Sequence, residues 1–432
     1  MRCTLWKIER PLENRKGVLY IGGASTVELA QQYGTPLYVT DENRIRENAR
    51  RLINAFKSHY NTFRLKYAIK ANNNLSILRI LSLEGIGADA SCLEEIQLAR
   101  MAGFPSNEIS YTGNYNSDYE LKHAYESGTI MNLDDTAVLP RLLKFGVPNT
   151  LSFRINPGVG KGKYAGLVFG GGKTKFGIGM KEAAKGYAMA KKAGVKNFGI
   201  HMMTGSCVMD VGYFKEITEK LLQIAYEIRR EARIDFDFFN VGGGFGISYQ
   251  PGEDELDIKA VGKQVTQAFK KGIEEYSLGN PELMAEPGRY IVGDSTILLA
   301  RVHHVKRGAR TYVGADAGMN TLLRPALYKA YHQIFVANKT NAKASQQVSI
   351  CGQICENTDV LAEDREMPEI REGDLLAILN AGAYGFAMSS QYNSRPRAAE
   401  VLVKDGESDL IRERETVSDF VARQRIPSRL LA

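Results

Sequence analysis

Short apolar runs and amphipathic stretches take turns along most of the chain. Strand-like runs fall near residues 65–69, 87–90, 108–111, 130–133, 151–155, 198–203, 236–241 and 283–285. Between most of them, apolar residues recur at helical spacing over 75–83, 93–101, 118–125, 138–144, 181–192, 213–230 and 261–276. Strand–helix alternation demands parallel pairing with right-handed crossovers. Eight such units within roughly 230–250 residues are what a closed (β/α)8 barrel of the TIM type requires. A doubly wound open sheet is the alternative, and the evenness of the eight units favours closure.

The flanks read differently. Residues 1–41 are β-rich, with a Gly22-Gly23 turn, a short helix and an apolar run over 36–39; a helix follows over about 42–56. Beyond Arg289 the pattern loses its long helices, and 291–305, 311–314, 347–351, 374–379 and 398–402 read as strands. The expected organisation is an α/β barrel over 42–294 and a mainly β domain over 295–432, joined by the N-terminal strands of 1–41, which need partners to pair with.

In such a barrel the chemistry sits at the carboxyl ends of the strands. Those ends carry Lys70, Ser91, Gly113-Asn114, Asp134, Arg154, Gly205-Ser206, Gly242-Gly243-Gly244 and Glu286-Pro287-Gly288-Arg289. A lone strand-end lysine more often reaches water than reacts. A lysine held in a buried strand end, however, is pushed toward its neutral form, and a neutral amine is a nucleophile able to form a Schiff base. Three consecutive glycines make either a tight turn or a nest whose backbone N–H groups receive a phosphate. Arg289 and Ser206 would add charge and a hydroxyl. Glu286 is by itself an ordinary surface carboxylate. Beside an amine and a phosphate nest it can instead keep a pyridine nitrogen protonated, and the protonated ring is the electron sink of pyridoxal 5'-phosphate (PLP).

Composition removes competing classes. The 432 residues are 44% hydrophobic and 24% charged, with a net charge of +7, ordinary for a globular protein. The basic clusters over 44–51 and 303–310 do not alternate with aromatics, so no nucleic-acid partner is expected. No stretch approaches the roughly 20 apolar residues of a membrane span, and the N-terminus has no apolar signal core. The five cysteines, at 3, 92, 207, 351 and 355, are odd in number, and the expectation is free thiols in a reducing, cytoplasmic setting. Gly170-Gly171-Gly172-Lys173-Thr174 is similar to the tail of a phosphate-binding loop, but Leu167 stands where that motif needs glycine. The six histidines and five cysteines show no zinc spacing, and no metal is expected.

The motif set resembles the barrel-type PLP-dependent amino-acid decarboxylases, most closely those acting on diaminopimelate. The runs that carry the resemblance are Tyr-Ala-Ile-Lys-Ala-Asn (67–72), Asn-Val-Gly-Gly-Gly-Phe-Gly (240–246), Glu-Pro-Gly-Arg (286–289), Asp-Ala-Gly-Met-Asn-Thr-Leu-Leu-Arg-Pro-Ala-Leu-Tyr (316–328), Cys-Glu-Asn-Thr-Asp (355–359), Gly-Ala-Tyr-Gly (382–385) and Tyr-Asn-Ser-Arg-Pro-Arg (392–397). The resemblance covers roughly residues 30–420. It implies an alanine-racemase-like architecture (PLP fold type III) and decarboxylation of meso-2,6-diaminopimelate to L-lysine. It implies Lys70 as the Schiff-base lysine and Ser206, Gly243 and Gly244 at the cofactor phosphate. Glu286 would face the pyridine nitrogen, within the Glu286-Pro287-Gly288-Arg289 cofactor run. Arg289, Arg324 and Tyr328 would hold substrate carboxylate, Glu356 the distal ammonium, and Tyr384 both cofactor and substrate. Cys355 would be the proton donor, a step a thiol suits because its pKa lies near the working pH. Glu356 and Asp359 beside it argue against a buried cysteine. A head-to-tail homodimer with shared active sites is implied as well.

Two departures qualify the substrate. Where the resembled family has a second histidine stacked on the cofactor ring, this chain has Met203, in His201-Met202-Met203-Thr204-Gly205-Ser206; a thioether can also pack on a ring face. Gln353-Ile354 precedes Cys355 where proline and leucine are common. The alternatives are a decarboxylase of D-lysine, D-ornithine, L-ornithine or a carrier-bound glutamyl group. A non-catalytic PLP-binding barrel and a racemase are disfavoured by the cysteine run.

Overall fold

The computed structural model describes residues 8–172 and 174–431. Cys3, the N-terminal segment and Lys173 of the second glycine run lie outside the described residues.

The chain forms two compact units. The first holds Arg46–Ser248 and Asp254–Ile291; the second holds the described residues up to Ile45, the short run Tyr249–Glu253, and Val292 onward.

The first unit is a closed barrel of eight strands, Phe63–Ala68, Gly87–Ala90, Ile109–Tyr111, Ile130–Leu133, Thr150–Ile155, Asn197–Met202, Phe238–Asn240 and Glu282–Ala285. Each strand pairs in parallel with its sequence neighbour, and the last closes on the first through Leu283–Phe63 and Ala285–Leu65. The strands are buried on both faces, as parallel sheets must be when helices cover them. The local signals are ordinary ones. Helix Asp118–Glu126 starts at a capping box in which Ser117 and Glu120 satisfy each other's backbone N–H groups. Helix Ile258–Glu275 buries Val261, Val265, Phe269 and Gly272 along one stripe. Its Gly262 has no space for a side chain, since a Cβ there would lie 2.2 Å from the Ala55 carbonyl oxygen of helix Glu42–Lys57.

The first strand ends earlier than its apolar run suggests. It stops at Ala68, and Ile69–Ala71 form a single 3-10 turn. Lys70 therefore sits on a turn rather than at a strand end.

The second unit is built on a nine-stranded mixed sheet. Thr296–Arg307 is its spine, pairing with Leu37–Asp41, Thr311–Ala315 and Leu375–Ile378. Leu37–Asp41 also pairs in parallel with Ala399–Lys404. Among the described residues only this one N-terminal strand joins the large sheet. Leu12–Arg15, Val18–Ile21 and Ala24–Ser25 form a separate three-stranded sheet, tied on by the Leu19 N–H to the Ala337 carbonyl at 2.8 Å. Ile291 and Val292 belong to a helical turn, Arg289–Val292, and not to the strand that follows. Val360–Met367 and Glu407–Arg412 are strands that the apolar pattern does not announce, because charged residues dominate both. Two apolar clusters fill this unit, one around Leu298, Val313, Ile350 and Ile378, the other around Leu19, Leu37, Val39, Leu299 and Val401.

Candidate active site

The carboxyl ends of the barrel strands carry a polar cluster set into an apolar unit. Lys70 donates from Nζ to Asp89 Oδ2 at 2.6 Å. Its side chain keeps 45% of its accessible surface, so the desolvation expected for this lysine does not apply. The desolvated lysine is Lys66, four residues earlier and within the strand itself. It is fully buried, its Nζ has no hydrogen-bond partner, and burial pushes its amine down to about 8.

Glu286 follows the eighth strand and is held at both carboxylate oxygens. His201 Nε2 lies 3.0 Å from Oε2, and Asn240 Nδ2 donates to Oε1 at 2.5 Å. Asn240 in turn accepts from the Gly242 N–H at 2.9 Å, and the Glu286 N–H donates to the Gly242 carbonyl at 2.7 Å. Burial pushes this carboxyl up, but His201, by charge and hydrogen bond, together with Lys70 and Asn240, outweighs it and holds Glu286 below the usual carboxylate range. Asp89 moves the other way. Burial and the Glu286 charge push it up more than Lys70 pulls it down, and its Oδ1 is buried without a partner. Two carboxylates driven in opposite directions in one site are a recurrent sign of acid–base chemistry.

Gly242–Gly244 turn beside this carboxylate. A Cβ on Gly243 would lie 2.2 Å from the Glu286 carbonyl oxygen; Gly244 has φ +93°, and a Cβ there would lie 2.7 Å from the Gly205 carbonyl oxygen. Gly244, Gly205 and Ser206 thus lie together, and Arg289 Nη2 reaches Ser206 Oγ at 3.4 Å. Pro287 and Gly288 link Glu286 to Arg289. The Pro287 carbonyl accepts from the Ala68 N–H at 3.1 Å, and a Cβ on Gly288 would press on Ala71 at 2.8 Å. This packing holds the strand-eight loop against the Lys70 turn. Met203 sits over the glycine turn, its Sδ accepting from the Gly243 N–H at 3.3 Å.

Other strand-end residues serve the frame. Ser91 donates through N–H and Oγ to Glu95 at 2.6 and 2.8 Å, closing the entry of helix Leu93–Met101. Arg154 lies 3.8 Å from Asp134 and packs 4.4 Å over the Phe176 ring.

The remaining expected residues belong to the second unit. Arg324 and Tyr328 lie on the short helix Arg324–Tyr328. The Arg324 guanidinium is fully buried; Nη1 donates to His332 Nε2 at 2.9 Å, while Nε and Nη2 have no partner. Cys355 and Glu356 are exposed on the loop between Gln346–Cys351 and Val360–Met367. The Cys355 N–H donates to Asn393 Oδ1 at 2.8 Å, and Glu356 accepts from Thr358 Oγ1 at 2.6 Å. Cys355 is exposed, as its acidic neighbours predict, but Asp359 itself is not. It is buried, and it accepts from the Met319 and Ile354 N–H groups at 2.6 and 2.8 Å. It braces the cysteine loop from inside. Tyr384 is half-buried at φ +57°, in the left-handed region.

Asp89 and His201 carry no strand-end signal because they lie within strands, and Asn240, which ends its strand, opens the glycine run without any sign of its bond to Glu286. Their signal is parity, since polar residues at inward positions of short strands must be paired or used.

Residues 44–293 match the model of the family described as pyridoxal-dependent decarboxylase, pyridoxal binding domain. The chain is 49% identical to diaminopimelate decarboxylase of Methanothermobacter thermautotrophicus, over 97% of this chain and 98% of that one. It is 38% identical to diaminopimelate decarboxylase of Archaeoglobus fulgidus, over 96% and 99%. The solved structure of diaminopimelate decarboxylase from M. jannaschii in co-complex with L-lysine is 35% identical, with a TM-score of 0.90 over 97% of this chain and 98% of that one.

The cofactor is pyridoxal phosphate, and the barrel residues fit it. Glu286 is kept ionised, the glycine turn leaves backbone bare beside Ser206 and Arg289, and Asp89 Oδ1 and His201 Nδ1 are buried polar atoms awaiting partners. A barrel so furnished, matched over more than half the chain and aligned end to end with its relatives, means that the chain belongs to the pyridoxal-dependent decarboxylases, in the diaminopimelate decarboxylase family of carboxy-lyases.

Proposed function

We propose that the chain decarboxylates meso-2,6-diaminopimelate at its D-configured carbon to give L-lysine, the last step in making that amino acid. The observation that carries this reading is Arg324. A fully buried guanidinium with Nε–H and Nη2–H unpartnered is costly unless an anion meets it. Those two donors lie on one edge of the planar fork, spaced for the two oxygens of a carboxylate. Diaminopimelate keeps a second carboxylate after the first departs; D-lysine, D-ornithine and L-ornithine keep none.

The cofactor, when bound, supplies the sink for the electron pair left by the departing carbon dioxide. Lys70 would hold its aldehyde end. Glu286, ionised by His201 and Asn240, keeps the ring nitrogen protonated. Ser206, Gly243 and Gly244 would receive the phosphate, with Pro287, Gly288 and Arg289 shaping that wall. Arg324, Tyr328 and Arg289 would take the substrate carboxylate, Glu356 its distal ammonium, and Tyr384 would serve both cofactor and substrate. Cys355 returns the proton to the carbon. The exposure of Cys355 and Glu356 on one loop supports a head-to-tail homodimer in which this loop completes the partner's site. Cys92, Cys207, Cys351 and Cys355 are all free thiols, which supports a reducing, cytoplasmic setting. Among the described residues no helix is long and apolar enough to cross a membrane.

A second reading rests on Met203, whose sulfur stands at the glycine turn in place of the stacking histidine; it would suit a related substrate of the same reaction. Carbon dioxide release from the PLP-loaded enzyme decides between them. Diaminopimelate should exceed D-lysine, D-ornithine and L-ornithine; preference for any of those three overturns the substrate and leaves the reaction class standing.

A further inference from the structure

The Arg324 guanidinium is held from one side by a neutral group. Its Nη1 donates to His332 Nε2 at 2.9 Å, and His332 Nδ1 lies 2.8 Å from the Leu379 carbonyl oxygen. A carbonyl only accepts, so Nδ1 carries the proton and Nε2 is the bare acceptor. Tyr249 covers the assembly, its ring 4.6 Å from the guanidinium carbon and edge-on to the imidazole at 5.3 Å. Tyr249 belongs to the five-residue run that leaves the barrel sequence for this unit.

We propose that His332 is the positioning residue of the carboxylate subsite: it fixes the Arg324 fork so that Nε–H and Nη2–H stay presented to the substrate. The inference rests on the reading of Arg324 as a carboxylate anchor. The choice of a histidine has a physical reason. An aspartate or glutamate at this position would orient the guanidinium equally well but would cancel its charge and compete with the substrate. A neutral imidazole acceptor orients the fork and leaves the full positive charge for the ligand. The Leu379 carbonyl makes the tautomer definite, and Tyr249 adds attraction to the cation without offering an acceptor to its free edge.

The test uses cofactor-loaded enzyme and two inhibitors that differ by one group. L-Lysine retains the carboxylate; 1,5-diaminopentane lacks it. His332→Asn keeps a donor for Leu379 but withdraws the acceptor from Nη1. His332→Gln can return an acceptor there through Oε1. Loss of the acceptor should weaken L-lysine inhibition and raise KM for diaminopimelate by about ten- to a hundredfold, the worth of an oriented charge-assisted contact. It should leave kcat within about threefold and 1,5-diaminopentane inhibition unchanged. His332→Gln should recover most of the loss. Equal weakening of both inhibitors, or no rescue by Gln, would mark His332 as merely structural and overturn the proposal. Should His332→Asn fold poorly, Tyr249→Leu keeps the question open to measurement, because freeing the fork's face should weaken L-lysine selectively as well. Arg324→Met separates the two levels. If it abolishes the L-lysine preference while the His332 variants do not, only the positioning role fails. If it leaves L-lysine inhibition untouched, the carboxylate anchor fails and the proposal falls with it.

Discussion

Lys70 and Asp89, on the turn after the first barrel strand and within the second strand, meet at 2.6 Å. The carboxylate is buried while the amine is half-exposed. The lysine is therefore aimed by an electrostatic partner rather than made reactive by burial. The Schiff-base role proposed for Lys70 suits that arrangement, since an exposed amine can leave its carboxylate without opening the barrel.

Replacing Asp89 by asparagine should lower kcat/KM by about ten- to a hundredfold, the usual worth of a charge-assisted contact in a site. The amide preserves the shape, so the barrel should stay folded and cofactor absorbance should persist. Steady-state kinetics beside the absorption spectrum check this; unchanged kcat/KM would reduce Asp89 to a structural pair.

Glu286→Gln keeps a side chain that His201 and Asn240 can grip but removes the charge. Turnover should fall by about a hundredfold or more, because the electron sink depends on a protonated ring nitrogen. The cofactor should still bind, with its absorption band altered. Full turnover in this variant would contradict the assignment.

Lys66 makes a stability prediction with a definite sign. Its amine ionises near 8 in the folded protein against 10.5 ordinarily. Between those values the unfolded chain binds the extra proton, so stability should rise as pH climbs through that window. Below about pH 8 both states are charged and the penalty is fully present. Lys66→Met should be more stable than the parent at pH 7 by about 1–3 kcal/mol and should lack the rise. Urea midpoints at pH 7 and 10 read both effects.

Mixing Lys70→Ala with Cys355→Ala subunits tests the shared site. Each variant alone should turn over poorly while Cys355→Ala retains its cofactor spectrum. If the cysteine loop serves the partner, an equimolar mixture should regain about a quarter of parental activity, since half the dimers are mixed and each restores one of two symmetric sites. No recovery after subunit exchange would assign Cys355 to its own subunit.

The barrel was legible because its cause is local. Apolar runs separated by helical periods can pair only in parallel, and the capping signal at Ser117 and Glu120 marks a boundary where the structure has one. Residues at the very ends of strands were legible for the same reason, since Glu286, Arg289 and Gly242–Gly244 stand where an apolar run gives way. Val360–Met367 was not, because a strand with Glu363, Asp364, Arg365 and Glu366 on it carries no apolar alternation. The exposure of Cys355 was legible from its acidic neighbours, but the bracing of its loop by Asp359 was not, because charge in sequence says nothing about which backbone N–H groups a carboxylate will satisfy.

The order of elements, the eight-unit repeat and the residue types available at each strand end follow from the chain alone, because periodicity and turn chemistry act over a few neighbours. Which lysine is buried, which carboxylate is held ionised and which nitrogen of His332 is bare were decided only by tertiary contacts across tens to hundreds of residues, as between His201 and Glu286. Charge state is set by the dielectric and the partners at a point in space, and neither exists until the chain has folded.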